Sequence, residues 1–189
     1  MIAVWIVLAV GAVLVVSFVF GFNHLVRLRN EANTGWSNID VQLKRRADLI
    51  PNLVEAVKGY AAHERGVFDS ITEARSSLLR ADTPGAAAQA NDVLTTALGR
   101  LFAVAEAYPD LKASQNFLRL QDELTDTEDK IAAARRYYNA TVMRYNTRIQ
   151  SFPGVLYAGA LGFTAREFFE AEEGDHAVPQ VDLTPPTSK

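Results

Sequence analysis

The stretch Trp36–Glu64, WSNIDVQLKRRADLIPNLVEAVKGYAAHE, holds a basic triplet, a proline inside a helical pattern and a closing His-Glu pair. Its apolar and small residues fall at Trp36, Ile39, Leu43, Ala47, Ile50, Val54, Val57 and Ala61. Steps that alternate between three and four describe one buried face of a helix. Pro51 stands in the middle of that face. A proline in a helix interior removes a backbone donor and crowds the carbonyl four residues back, at a cost of about 3 kcal/mol unless the helix kinks or restarts. Asp48 is an N-cap candidate for a restart. The pattern therefore predicts one helix up to about Asp48 and a second from about Leu49 to Leu79; a continuous kinked helix would turn four helices into three.

Working outward, the stripe extends back through Leu25, Leu28 and Ala32 and forward through Phe68, Ile71 and Leu78. Ahead of it, Met1 to Phe22 contains no charged residue. At about 1.5 Å per residue this run crosses a hydrocarbon core of about 30 Å. It has neither the basic start nor the small-x-small cleavage site of a signal peptide, so it reads as a retained transmembrane anchor. All Lys and Arg residues follow the span, which predicts a short N-terminus outside and the remainder in the cytoplasm. Trp5 and Phe22 are the expected aromatic markers of the two interfaces, and Arg27 and Arg29 are placed to meet lipid phosphates.

Downstream, Thr83-Pro84-Gly85 marks a reversal, and a helix is expected over about Ala86 to Ala107. Tyr108-Pro109 ends it, since the residue before proline is steered out of the helical region. A second long rod runs from Asp110 to Phe152, where Pro153-Gly154 stops it. No strand alternation is present. The fold class is all-α, an N-terminal transmembrane helix followed by an elongated antiparallel up-and-down bundle. The expected divisions are an anchor over 1–22, the bundle over 23–152, an apolar and aromatic segment over 153–173 and a disordered tail over 174–189.

Chemistry finds few candidates. Without cysteine, thiolate metal sites, disulfides and cysteine nucleophiles are excluded. A formal charge of -3 leaves no overall basic footprint for nucleic acid. His63-Glu64 resembles the start of a zinc-protease helix, but position 67 is Val67; His24 and His63 do not follow a glutamate at di-iron spacing, and Glu173-x-x-His176 is a single such pair where a di-iron site needs two. No cofactor or metal is expected. Glu64, Arg75, Glu128 and Arg135 fall on the extended seams, where a glutamate of one rod would pair with an arginine of the other. Lys44, Arg45 and Arg46 lie about 33 Å beyond the span on a straight helix, several Debye lengths of about 8 Å from lipid. They suit a solvated face or a contact with another copy or partner. Phe152, Tyr157, Phe163, Phe168 and Phe169 either cap the bundle or rest on membrane or a neighbouring copy.

Three blocks carry a resemblance: LVRLRNEANTGWSNIDVQLKRRADLIPNLVEAVKGYAAHE (Leu25–Glu64), AVAEAYPDLKASQNFLRLQDELTDTEDKIAAARRYYN (Ala103–Asn139) and YNTRIQSFPGVLYAGALGF (Tyr145–Phe163). In order and content they resemble the LemA family, from the span to about Phe169, with the tail after Gly174 outside the resemblance. The resemblance implies a bacterial membrane protein with one N-terminal span and a cytoplasmic helical bundle, and no particular reaction. The expected function is a non-enzymatic, self-associating scaffold that organises or shapes the membrane. The rival is an anchored adaptor for a membrane protease or sensor kinase, and a third reading is an enzyme using Glu64 or Glu128.

Overall fold

The computed structural model describes residues 1–170 of the 189-residue chain. Helix α1 (Ile2–Lys58) is followed by α2 (Arg65–Arg80), α3 (Pro84–Ala105), the single turn α4 (Pro109–Lys112) and α5 (Gln115–Gln150). Two short 3-10 turns, Gly154–Leu156 and Gly159–Leu161, complete the described elements. The all-α reading holds, with no strand among the described residues.

The expected restart at Asp48 does not occur. α1 runs through Pro51 for 57 residues, about 85 Å, so the apolar N-terminal run and the bundle share one continuous element. Pro51 would leave the Ala47 carbonyl without its usual helical donor, because the bond lost is the one from residue 51 to residue 47. Arg75 of α2 fills the gap: its Nε donates to the Ala47 carbonyl at 2.7 Å. The break comes later, at residues 59–64, where Tyr60 and Ala61 close turns on the Val57 carbonyl and Ala61 is buried. Glu64 is then the residue ahead of α2. The expected helix Leu49–Leu79 is thus two pieces, the end of α1 and the whole of α2.

The later boundaries lie close to expectation. Thr83 caps α3 by accepting a hydrogen bond from the Ala86 amide at 3.2 Å, with Pro84 in the first turn. In the half of the molecule away from the span, Ile39, Leu43, Ile50, Leu53 and Val57 of α1 join Ile71 and Leu78 of α2, Leu94, Leu98 and Leu101 of α3, and Phe117, Leu124 and Ile131 of α5 in one core. Towards the span only α1 and α5 continue. Leu25 and Leu28 pack there on Tyr145 and Ile149, with Ala158 and Phe163 closing the cluster.

The chain after α5 is a strap. It turns at 154–161 beside the base of the span, where a Cβ on Gly21 would collide with the Tyr157 hydroxyl. It then returns along the α1–α5 pair, and two asparagines of α5 hold its backbone. Asn146 accepts from the Arg166 amide at 2.8 Å and donates to the Arg166 carbonyl at 2.8 Å. Asn139 accepts from the Phe169 amide at 2.9 Å and donates to the Phe169 carbonyl at 3.2 Å. Seven helical residues advance about 10.5 Å and three extended residues about 10 Å, so the two spacings match. The Tyr138 hydroxyl donates to the Glu167 carbonyl at 2.9 Å between them. The tail expected over 174–189 lies outside the described residues.

Candidate functional site

Two polar constellations stand out, one in the bundle and one where the helix pair meets the span. In the bundle, Arg46 is 4% exposed, which corrects its expected place on a solvated face or partner contact. It lies three residues past Leu43 and four before Ile50, on the buried stripe itself. Its Nη1 donates to Asn91 of α3 and lies 2.7 Å from Glu128 Oε2 of α5, while Nη2 donates to Thr95 at 3.0 Å. The Glu128 contact lies within salt-bridge distance but outside hydrogen-bond alignment, so its strength is chiefly coulombic. Burial pulls the guanidinium below its ordinary value, and the carboxylates of Glu128 and Asp92 counter that shift. Three helices thereby meet on one side chain.

The expected glutamate–arginine seam is only partly realised. Glu128 pairs with Arg46, not with Arg75 or Arg135. Arg75 serves the Ala47 carbonyl, Arg135 is exposed, and Glu64 is half-buried in the α1–α2 connection. Lys44 and Arg45 do lie at the surface, in ion pairs with Asp40 at 2.7 Å and Asp126 at 4.0 Å. Among the described residues no three His, Asp or Glu side chains are grouped to hold a metal ion.

At the base of the helix pair, the aromatic residues divide between packing and exposure. Phe163 is buried against Phe22, with ring centroids 5.8 Å apart, and Tyr157 meets Phe18 edge-on at 5.0 Å. Phe169 packs on Trp36, and Phe168 lies against the same core. Phe152 differs: it is 77% exposed, and Leu156 beside it is 71% exposed. Trp5 is exposed on the first turns of α1. Arg29 places its guanidinium 5.0 Å from the Phe163 ring centre, a cation–π contact on the strap side.

Arg27 faces the other way, toward the groove between α1 and α5. Its Nη2 is 2.8 Å from His24 Nδ1, and its Nε is 3.8 Å from Glu31. Arg144 of α5 reaches the same Glu31 at 3.8 Å. Arg148, one turn nearer the span, has no ion-pair partner among the described residues, and its Nε is buried without a hydrogen-bond partner. Desolvation lowers His24 from its ordinary value, and the neighbouring charges of Arg27 and Arg148 lower it further. Sequence patterning named Arg27 alone from this group. His24 was weighed only as a metal ligand, and Arg144 and Arg148 carry no signal until α5 is folded against α1.

The LemA family pattern matches residues 35–183, reaching beyond the Gly174 limit expected for the resemblance. Magnetosome protein MamQ of Magnetospirillum gryphiswaldense is 28% identical over 94% of this chain and 78% of its own length. Magnetosome protein MamQ 2 of Paramagnetospirillum magneticum is 27% identical over 79% of this chain and 64% of its own length. Protein LemA of Metamycoplasma hominis is 30% identical over 80% of this chain and 69% of its own length. The chain belongs to the LemA family.

Proposed function

We propose that this LemA family member is a single-pass membrane scaffold without chemistry of its own, which self-associates and thereby organises or shapes a bacterial inner membrane. The observation that carries the reading is the continuity of α1. Its first turns are apolar and unburied over a length that suits a bilayer, and the same helix then forms the central stave of the bundle. An anchor joined to its body by uninterrupted helix transmits orientation, whereas a flexible linker would not.

Two further features support it. The most prominent buried polar network, around Arg46 and Glu128, is occupied in joining helices, a structural use of charge. The turn beside the span leaves Phe152, Val155 and Leu156 exposed at a level where lipid or a neighbouring copy would cover them. The magnetosome proteins among the relatives fit a membrane setting. On this reading the short N-terminus is outside, the bundle is cytoplasmic, and Lys44 and Arg45 are available to a second copy.

Light scattering on the full-length protein, extracted from membranes in mild detergent, tests the reading. The expected mass is a defined multiple of the 20.8 kDa protomer after subtraction of detergent. A single protomer over the accessible concentration range would overturn self-association and leave a monomeric anchored rod.

A further inference from the structure

We propose that His24, Arg27, Arg144 and Arg148 form a binding site for the phosphate of an anionic phospholipid, in the groove between α1 and α5 at the foot of the bundle. The site rests on the anchored placement proposed above. Its height follows from helix geometry: His24 and Arg27 lie two and five residues past Phe22, about 3 and 7.5 Å along the axis. The headgroup layer occupies roughly the 5–8 Å outside each face of the hydrocarbon core. The groove therefore opens at the phosphate level.

Charge favours an anion there. Of the three guanidinium groups, two share one carboxylate, Glu31, which lies 3.8 Å from both Arg27 and Arg144. Arg148 receives none of that compensation and still lines the opening of about 620 Å³ with Arg27 and His24. The adjoining groove of about 450 Å³ shares those three residues and adds Arg144 and Glu31. The Arg27–His24 contact uses the imidazole Nδ1, which assigns the remaining ring proton to Nε2 and makes that atom a donor.

The lower wall has the other character a phospholipid requires. The exposed ring of Phe20 lines the larger opening beside Ser17 and Gly21, across from Arg148. An acyl chain along Phe20 and a phosphate at Arg27 and Arg148 would each meet matching chemistry. Surface arginines that merely complement a helix C-terminus would not need to stand beside the end of an apolar run, nor converge from two helices. Phosphate is common to lipid and soluble ligands; the exposed Phe20 ring and the unburied apolar run of α1 that it ends favour the lipid.

The test uses full-length protein in nanodiscs of phosphatidylcholine with a minority of phosphatidylglycerol, with retained lipids counted by native mass spectrometry after mild release. Wild type is expected to retain phosphatidylglycerol in excess of its share of the bilayer. The pair Arg27→Gln and Arg148→Gln should reduce that excess about thirtyfold, the scale of losing two basic contacts with lipid phosphate. Arg148→Lys, which keeps the charge, should retain most of it. Arg135→Gln with Arg136→Gln, on the exposed face of α5, should change nothing. Equal retention of the two lipids by wild type, or unchanged retention in the double variant with its helical content intact, would overturn the site and leave the scaffold standing. Inorganic phosphate that displaces the lipid at equal concentration would assign the groove to a free anion and overturn the phospholipid assignment. Failure of the protein to enter the discs at all would overturn both the site and the anchored reading.

Discussion

Pro51 and Arg75 form a pair that only folding brings together. The proline removes the donor for the Ala47 carbonyl, and the arginine supplies a charged one from the neighbouring helix. Arg75→Met should then lower stability by about 1–2 kcal/mol, the range for a hydrogen bond from a charged donor. In a Pro51→Ala background the backbone donor returns, so the same substitution should cost roughly half as much, a coupling that a double-mutant cycle of thermal unfolding in detergent resolves. Equal costs in the two backgrounds would show that Arg75 acts elsewhere. Arg46 makes a second case. Glu128→Ala leaves a buried guanidinium short of its counter-charge and should cost about 2 kcal/mol, below the 3–5 of a fully buried pair because Glu128 reaches solvent. Glu123→Ala, which breaks an exposed pair with Arg119 on the same helix, should stay within about 0.5 kcal/mol.

The strap is the element that patterning did not reveal. Apolar periodicity located the long helices because burial of one face repeats every three or four residues, and it placed the Thr83-Pro84 reversal because the turn residues have distinct backbone needs. It ran through residues 59–64 because Ala61 is buried in the connection and continues the stripe. Arg46 lies on the same stripe, but a guanidinium is ordinarily solvated, so its charge points to the surface while its position points to the core. The strap has no periodicity of its own; its signal is the Tyr-Asn pair repeated seven residues apart, Tyr138-Asn139 and Tyr145-Asn146. Asn139→Ala and Asn146→Ala each remove two hydrogen bonds to strap backbone and should cost about 1–2 kcal/mol locally. Hydrogen exchange should quicken at Arg166 and Phe169 while the centre of α5 keeps its protection; uniform acceleration would contradict a separable strap. Burial also raises the phenol of Tyr138. The folded state thus favours the neutral hydroxyl, so its contribution is complete below the ordinary value of about 10 and is lost as pH rises through the raised one. Alkaline titration should release the strap earlier in wild type than in Tyr138→Phe; coincident release would remove Tyr138 from that transition.

At the scale of the whole molecule, anchor, body and strap meet at one level. α1 leaves the span without a break, α5 returns to it, and the turn at 154–161 packs on Gly21 and Phe18 with its outer apolar side chains uncovered. An anchored body with those surfaces at the interface is suited to gather copies and to fix their tilt relative to the bilayer. The long apolar start of α1 and the helical bundle are legible from composition and period, and membership of the LemA family from the order of three sequence blocks. The proposed assembly is not written in any motif, because no Gly-x-x-x-Gly pattern marks the apolar run and no residue type identifies a copy-to-copy contact in advance. Electron cryo-microscopy of the full-length protein in lipid vesicles bears on that claim most directly. The account predicts discrete closed clusters, their bodies standing at one height above a locally ordered or curved bilayer; isolated protomers scattered at all orientations over an unperturbed membrane would contradict it.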